Sequence, residues 1–240
     1  MIMSVNKLLV VGAHSADFVW RAAGTIAVTT TQGGKAAVIA LSYGERGESG
    51  NLWKEPGQTI EHVKRIRHEQ ADAAAATVGA SFRCLDLGDY PLRITDQAME
   101  QLVDLVRKEA PDVILTHTPV DPYNPDHPVA HQAVQKARLL ASGAGVASAF
   151  ERINPPEWYL FEPHQPELSE FVPNTFVDIT AVMEKKLEAM AIMAAQSYLV
   201  DYYTDLAARR GNQARRISGD QSVKHAEAHQ RMLPWVVDSL

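Results

Sequence analysis

Residues 7–17 read K-L-L-V-V-G-A-H-S-A-D, and the fold is decided by this stretch. Leu8-Leu9-Val10-Val11 is an apolar run cut off by Gly12, the pattern of a parallel strand buried on both faces. His14 and Asp17 follow at once. Open α/β sheets bind ligands at the carboxyl ends of such strands. A His and an Asp three residues apart at that tip are candidate metal ligands.

Working outward, Phe18, Val19, Ala22, Ala23, Ile26 and Ala27 recur at helical spacing and predict a helix over 18–31, stopped by Gly33-Gly34. Residues 36–41, A-A-V-I-A-L, predict a second buried strand, which runs into the loop S-Y-G-E-R-G-E-S-G-N. A long helix is expected over 59–78, a third strand over 82–87 and an amphipathic helix over 95–109 capped by Thr95. A fourth strand over 112–116 leads into the densest polar loop, H-T-P-V-D-P-Y-N-P-D-H-P-V-A-H, and a helix over 129–141. Strands are expected at 158–161 and 175–179, then helices over 181–195 and 198–210 and a last helical segment over 223–236. This rhythm predicts right-handed βαβ units. The expected fold class is α/β: a Rossmann-like open, mainly parallel sheet with helices on both faces and a helical C-terminal extension, all in one domain spanning 1–240.

With 240 residues, 46% hydrophobic and 22% charged, the composition is that of a globular protein with a sizeable core. A net charge of −6 without a basic run argues against nucleic acid as a partner. A single cysteine, Cys84, excludes an internal disulfide and points to a reducing compartment. No N-terminal segment reads as a secretory signal, and no apolar run is long enough to span a bilayer. The expectation is a soluble, cytoplasmic protein acting on a small molecule.

A doubly wound sheet ordered 3-2-1-4 would bring the loops after strands one and four together. His14, Asp17 and His127 would then reach one ion. Two imidazoles and a carboxylate with an open position suit catalytic Zn2+, and Fe2+ or Mn2+ accept the same set. Hydrogen-bonded loop histidines are the competing reading at this point.

A-H-S-A-D, Y-G-E-R-G-E-S and N-P-D-H-P-V-A-H, with E-K-K and the late A-E-A-H-Q-R, resemble the LmbE-like, or PIG-L, family of zinc-dependent N-acetylsugar deacetylases. The resemblance covers nearly the whole chain. It implies His14, Asp17 and His127 as ligands and Asp126 as the carboxylate orienting the last of them. It also implies a homo-oligomer, a trimer or hexamer. Two departures stand out. Family deacetylases read A-H-P-D-D, whose first aspartate is the general base; here that position is Ala16. They also carry a His three residues before the ligand His; here it is Asn124. A metal set without its hydrolytic base points to another reaction.

A-H-S-A-D-F-V-W-R, D-P-Y-N-P-D-H-P, Y-L-F-E-P-H-Q-P-E and R-R-G-N-Q-A-R-R resemble the hydratase branch of the family, whose substrate is 4-oxalomesaconate. This implies a metal-dependent hydro-lyase of aromatic catabolism, adding water across a conjugated C=C. Glu48 and His164 are the acid–base candidates, with Glu45 competing for the former role. Arg46, Tyr123, Asn124, Ser15 and Arg215 are candidate substrate contacts, with Arg21 and Arg216 as further cations. A deacetylase using Glu48 or Asp121 as base is the alternative, and a non-catalytic metal- or carboxylate-binding relative is the third. His62 and His68 read as surface residues. His225 and His229, at i and i+4 of the last helical segment, read as a solvated or partner-facing pair. Met183, Met190 and Met193 read as core, and Cys84 as an inert small hydrophobe.

Overall fold

A computed structural model describes residues 5–236. Its centre is a seven-stranded sheet in the order β3-β2-β1-β4-β5-β7-β6. The strands are β1 (Lys7–Gly12), β2 (Lys35–Ala40), β3 (Ser81–Cys84), β4 (Val113–Thr116), β5 (Glu157–Phe161), β6 (Thr175–Asp178) and β7 (Ala226–Arg231). The first five pair in parallel, and β7 runs antiparallel between β5 and β6. The expected order 3-2-1-4 and the α/β class are both present. The helices are α1 (Asp17–Thr31), α2 (Ile60–Thr77), α3 (Asp96–Glu109), α4 (Asp126–Leu140), α5 (Met183–Ile192) and α6 (Val200–Ser218).

Successive residues of β1 feed two cores, as the strand period requires. Leu8 and Val10 pack with α1, α2, α5 and α6; Leu9 and Val11 pack with α3 and α4. All four are buried, which explains the unbroken apolar run. The methionines at 183, 190 and 193 lie in the first core, as expected. Thr59 and Thr95 cap α2 and α3, accepting from the N–H groups of His62 and Ala98.

Several boundaries and one element differ from expectation: β3 ends at Cys84 and α5 at Ile192, short of the ends expected at 87 and 195. Helix α4 begins at Asp126, so His127 lies in its first turn. Helix α6 runs on to Ser218 and takes in the whole R-R-G-N-Q-A-R-R stretch. The segment expected to be helical near the end is strand β7. Ala, Glu, Gln and Arg favour helices, but here tertiary pairing overrides propensity. Ala226 packs with Ala214 and Val223 and Ala228 is buried, while Glu227 and His229 turn to α1, where they bond Thr25. His225 and His229 are therefore not a helical pair, and His229 is buried. Among the described residues, no helix is long and apolar enough to cross a membrane.

Candidate metal centre and active site

The site lies over the carboxyl ends of β1, β2 and β4. Gly12, the last residue of β1, leaves room for Asp17, since a Cβ there would stand 2.9 Å from the Asp17 Cβ. Asp17 opens α1 and folds back, its Oδ2 accepting the His14 N–H at 2.7 Å. His14 Nδ1 lies 3.6 Å from Asp17 Oδ2, and His127 Nε2 lies 3.6 Å from Asp17 Oδ1. One ligand atom from each of these three buried residues falls within 4.8 Å of the other two.

The outer ring nitrogens are held by carboxylates. His14 Nε2 lies 3.3 Å from Asp126 Oδ2, and His127 Nδ1 lies 2.7 Å from Asp121 Oδ2. Each carboxylate fixes a proton on the outer nitrogen and frees the inner one. Those inner atoms, His14 Nδ1 and His127 Nε2, are buried with no hydrogen-bond partner among the described residues. Buried lone pairs converging on a carboxylate fit a divalent cation, with no fourth ligand in the cluster among the described residues. Asp126 therefore orients His14 rather than His127, and Asp121 takes the place expected of it. Asp126 also accepts the N–H groups of Tyr90 and Leu92, anchoring the loop after β3.

Without a metal, the carboxylates set the charge. Burial opposes protonation of His14, but Asp126, Asp17 and Glu48 outweigh it and raise the pKa to about 10. Burial and the neighbouring His117 push His127 down to about 3. Burial works against an ionised Asp17, yet His117, Arg21 and His127 hold its carboxyl well below the usual range. Arg21, one helical turn on, donates to Asp17 Oδ1 at 2.7 Å. Its Nε has no partner among the described residues. His117 stacks on His127 with ring centroids 3.9 Å apart, and its Nε2 accepts the Ala13 N–H at 2.9 Å.

Ala16, between the two ligands of the first loop, is buried at 2% exposure. Besides Asp17, Glu48 faces the inner side of His14, its Oε1 3.9 Å from Nδ1. Asn124 Nδ2 donates to Oε1 at 2.7 Å and Gln196 Nε2 to Oε2 at 2.6 Å. Glu45 does not compete: its buried carboxylate turns towards Lys64, 3.9 Å away, and burial raises its pKa. His164 is half-buried after β5, its ring 4.3 Å from that of Tyr202. Burial and the charge of Arg21 lower its pKa, against the pull of Asp121 and Glu48. Arg210 of α6 grips Glu162 through both carboxylate oxygens and so fixes that loop.

The other candidates scatter. Ser15 is buried and its hydroxyl donates to the Tyr43 carbonyl, tying two loops together. Arg46 donates to the Asp89 carbonyl, with its side chain 48% exposed. Tyr123 points to solvent. Arg215 donates to the Val223 carbonyl at the far end of α6, and Arg216 is exposed, so neither joins the triad.

Three residues escaped the sequence reading. Tyr90 packs over Gly47, with its ring 6.2 Å from that of His14. Gln196 comes from a non-helical kink between α5 and α6 (φ −131°, ψ 32°). Arg67 is wholly buried in α2; its Nε donates to the Tyr43 carbonyl, and its two terminal nitrogens have no partner among the described residues. A signal existed for Arg67, because it shares one helical stripe with the buried Val63, Ala71 and Ala74.

Comparison with known proteins bears on the family and the fold. The family model described as PIG-L, GlcNAc-PI de-N-acetylase, matches residues 9–138. A 4-oxalmesaconate hydratase from Pseudomonas putida is 45% identical over 98% of this chain and 92% of its own. The crystal structure of GalB, the 4-carboxy-2-hydroxymuconate hydratase of Pseudomonas putida, superposes with a TM-score of 0.95 at 44% identity, covering 98% and 99% of the two chains. A diacetylchitobiose deacetylase from Thermococcus kodakarensis is 28% identical over 80% of this chain and 70% of its own.

Proposed function

This chain belongs to the PIG-L family, and from that premise we propose that it is a metal-dependent hydro-lyase adding water across the conjugated C=C of 4-oxalomesaconate. The product is 4-carboxy-4-hydroxy-2-oxoadipate, a step of gallate or protocatechuate breakdown. The name 4-carboxy-2-hydroxymuconate denotes the enol of the same tricarboxylate, so both relatives' names fit one substrate skeleton. The observation that carries this reading is the buried Ala16 between two metal ligands, with Glu48 facing the inner side of His14 instead.

His14, Asp17 and His127 would hold one divalent ion, zinc being the best fit to two imidazoles and one carboxylate. When bound, it supplies Lewis acidity to a substrate oxygen. Glu48 then removes a proton from water as the water oxygen bonds to the alkene carbon. The π electrons shift to the neighbouring carbon, conjugated with a carbonyl, and that carbon takes a proton, so H and OH are added overall. His164, across the pocket, is the candidate for delivering it. A tricarboxylate needs buried cationic donors, and the free terminal nitrogens of Arg67 suit one carboxylate. The same reading includes assembly into a trimer or hexamer in the cytoplasm.

The test is direct. Zinc-loaded protein should bleach the conjugated absorbance of 4-oxalomesaconate. His14→Ala should lose metal and turnover together. Acetate release from an N-acetylsugar, with the alkene untouched, would decide for the deacetylase alternative.

A further inference from the structure

Glu48 sits in a poor place for a catalytic group. Its loop contains Gly44 at φ +71° and Gly47, and its side chain is 19% exposed. A glutamate with three free torsions on a glycine loop samples many orientations unless something pins it. Two amides do so here, one on each oxygen. Asn124 is itself fixed, since its Oδ1 accepts the Asp126 N–H at 3.1 Å, leaving Nδ2 for Glu48. The other donor, Gln196, arrives from 148 residues along the chain and is buried at 2% exposure.

We propose that Gln196 is the positioning residue of the reaction: its kinked segment exists to hold the Glu48 carboxylate at the edge of the metal pocket. This rests on the reading of Glu48 as the group that takes the proton from water. The residue type supports it. A lysine or arginine would orient the carboxylate equally well but would pair with its charge and blunt it as a base. Neutral amide donors fix both oxygens in one plane and leave the charge in place. Each oxygen keeps a second lone pair for the water. Gln196 Oε1 meanwhile has no partner among the described residues, so the amide is not serving as a link within the protein fabric. A buried amide whose one hydrogen bond goes to Glu48 is there for Glu48.

The experiment is a double-mutant cycle on the zinc-loaded protein. Gln196→Met keeps length and removes the donor. It should lower kcat for 4-oxalomesaconate about 10- to 100-fold, while KM and zinc per chain stay near wild type. Glu48→Gln should be slower still. In that background, adding Gln196→Met should cost nothing further, because Gln196 acts only through Glu48. Independent, multiplying losses, or loss of zinc with activity, would overturn the proposal and leave Gln196 a packing residue. If Gln196→Met does not fold, Gln196→Glu, which sets a second carboxylate against the first, goes through the same cycle with the same criterion. If wild-type protein deacetylates and does not hydrate, the reading of the reaction fails, and the cycle run on acetate release still judges Gln196.

Discussion

At the residue scale, the metal site is a balance of charge. Asp17, Asp126, Asp121 and Glu48 converge on three imidazoles, His14, His117 and His127, and one guanidinium, Arg21, so with the imidazoles neutral the pocket calls for a further cation. Without metal, a proton on His14 supplies it, with the pKa raised to about 10. His127 and Asp17, both shifted down, carry none near neutral pH. Metal must displace the His14 proton, because only the neutral imidazole ligates. Zinc binding is therefore expected to release about one proton per ion near neutral pH, and affinity should climb with pH until His14 deprotonates by itself near 10. Calorimetry in buffers of different ionisation enthalpy measures this; binding without proton release would mean that the imidazole is already neutral. Ala16 brings no carboxylate to the pocket, and Asn124 donates to that of Glu48.

At the scale of elements, α6 is as important to the site as β1. It anchors the His164 loop twice, through Arg210 on Glu162 and through the Tyr202 hydroxyl donating to the His164 carbonyl at 2.6 Å. Its closeness to β7 depends on Gly211, where a Cβ would stand 2.1 Å from the Lys224 carbonyl oxygen. That neighbour is backbone and cannot swing away. Gly211→Ala should destabilise the protein by about 1–3 kcal/mol, the usual scale of overpacking. It should also loosen the His164 loop, which urea unfolding and limited proteolysis would detect. An unchanged midpoint would show that α6 stands off the strand in solution.

For the whole molecule, the ion would join parts of the chain more than a hundred residues apart. His14 and Asp17 leave β1, and His127 opens α4, which packs on the other face of the sheet from α1. A ligand held only by the native state stabilises it by mass action, about 2.7 kcal/mol at a free concentration 100 times Kd. Stripping zinc with a chelator should lower the thermal midpoint, and readdition should restore it. Equal midpoints with and without metal would argue that these three residues do not share an ion.

Local sequence determined the parallel strands, the helices between them and the cluster of His14, Asp17 and His127. Each depends on periodicity or on a strand tip, and both are local properties. The βαβ rhythm then fixes which tips are neighbours, so His14, Asp17 and His127 could be brought together on paper. Only the tertiary structure decided the rest. A-E-A-H-Q-R became a strand because β5 and β6 offered it backbone partners on both sides, a pairing that no local pattern announces. Asp126 went to His14 and Asp121 to His127 because side-chain reach is set in three dimensions. Gln196 reached Glu48 from a non-helical kink that no periodicity marks, and the stripe that buries Arg67 on α2 gives no sign of which groups its guanidinium meets. Strand periodicity is written residue by residue; the partners of a buried polar atom are set by packing across the chain.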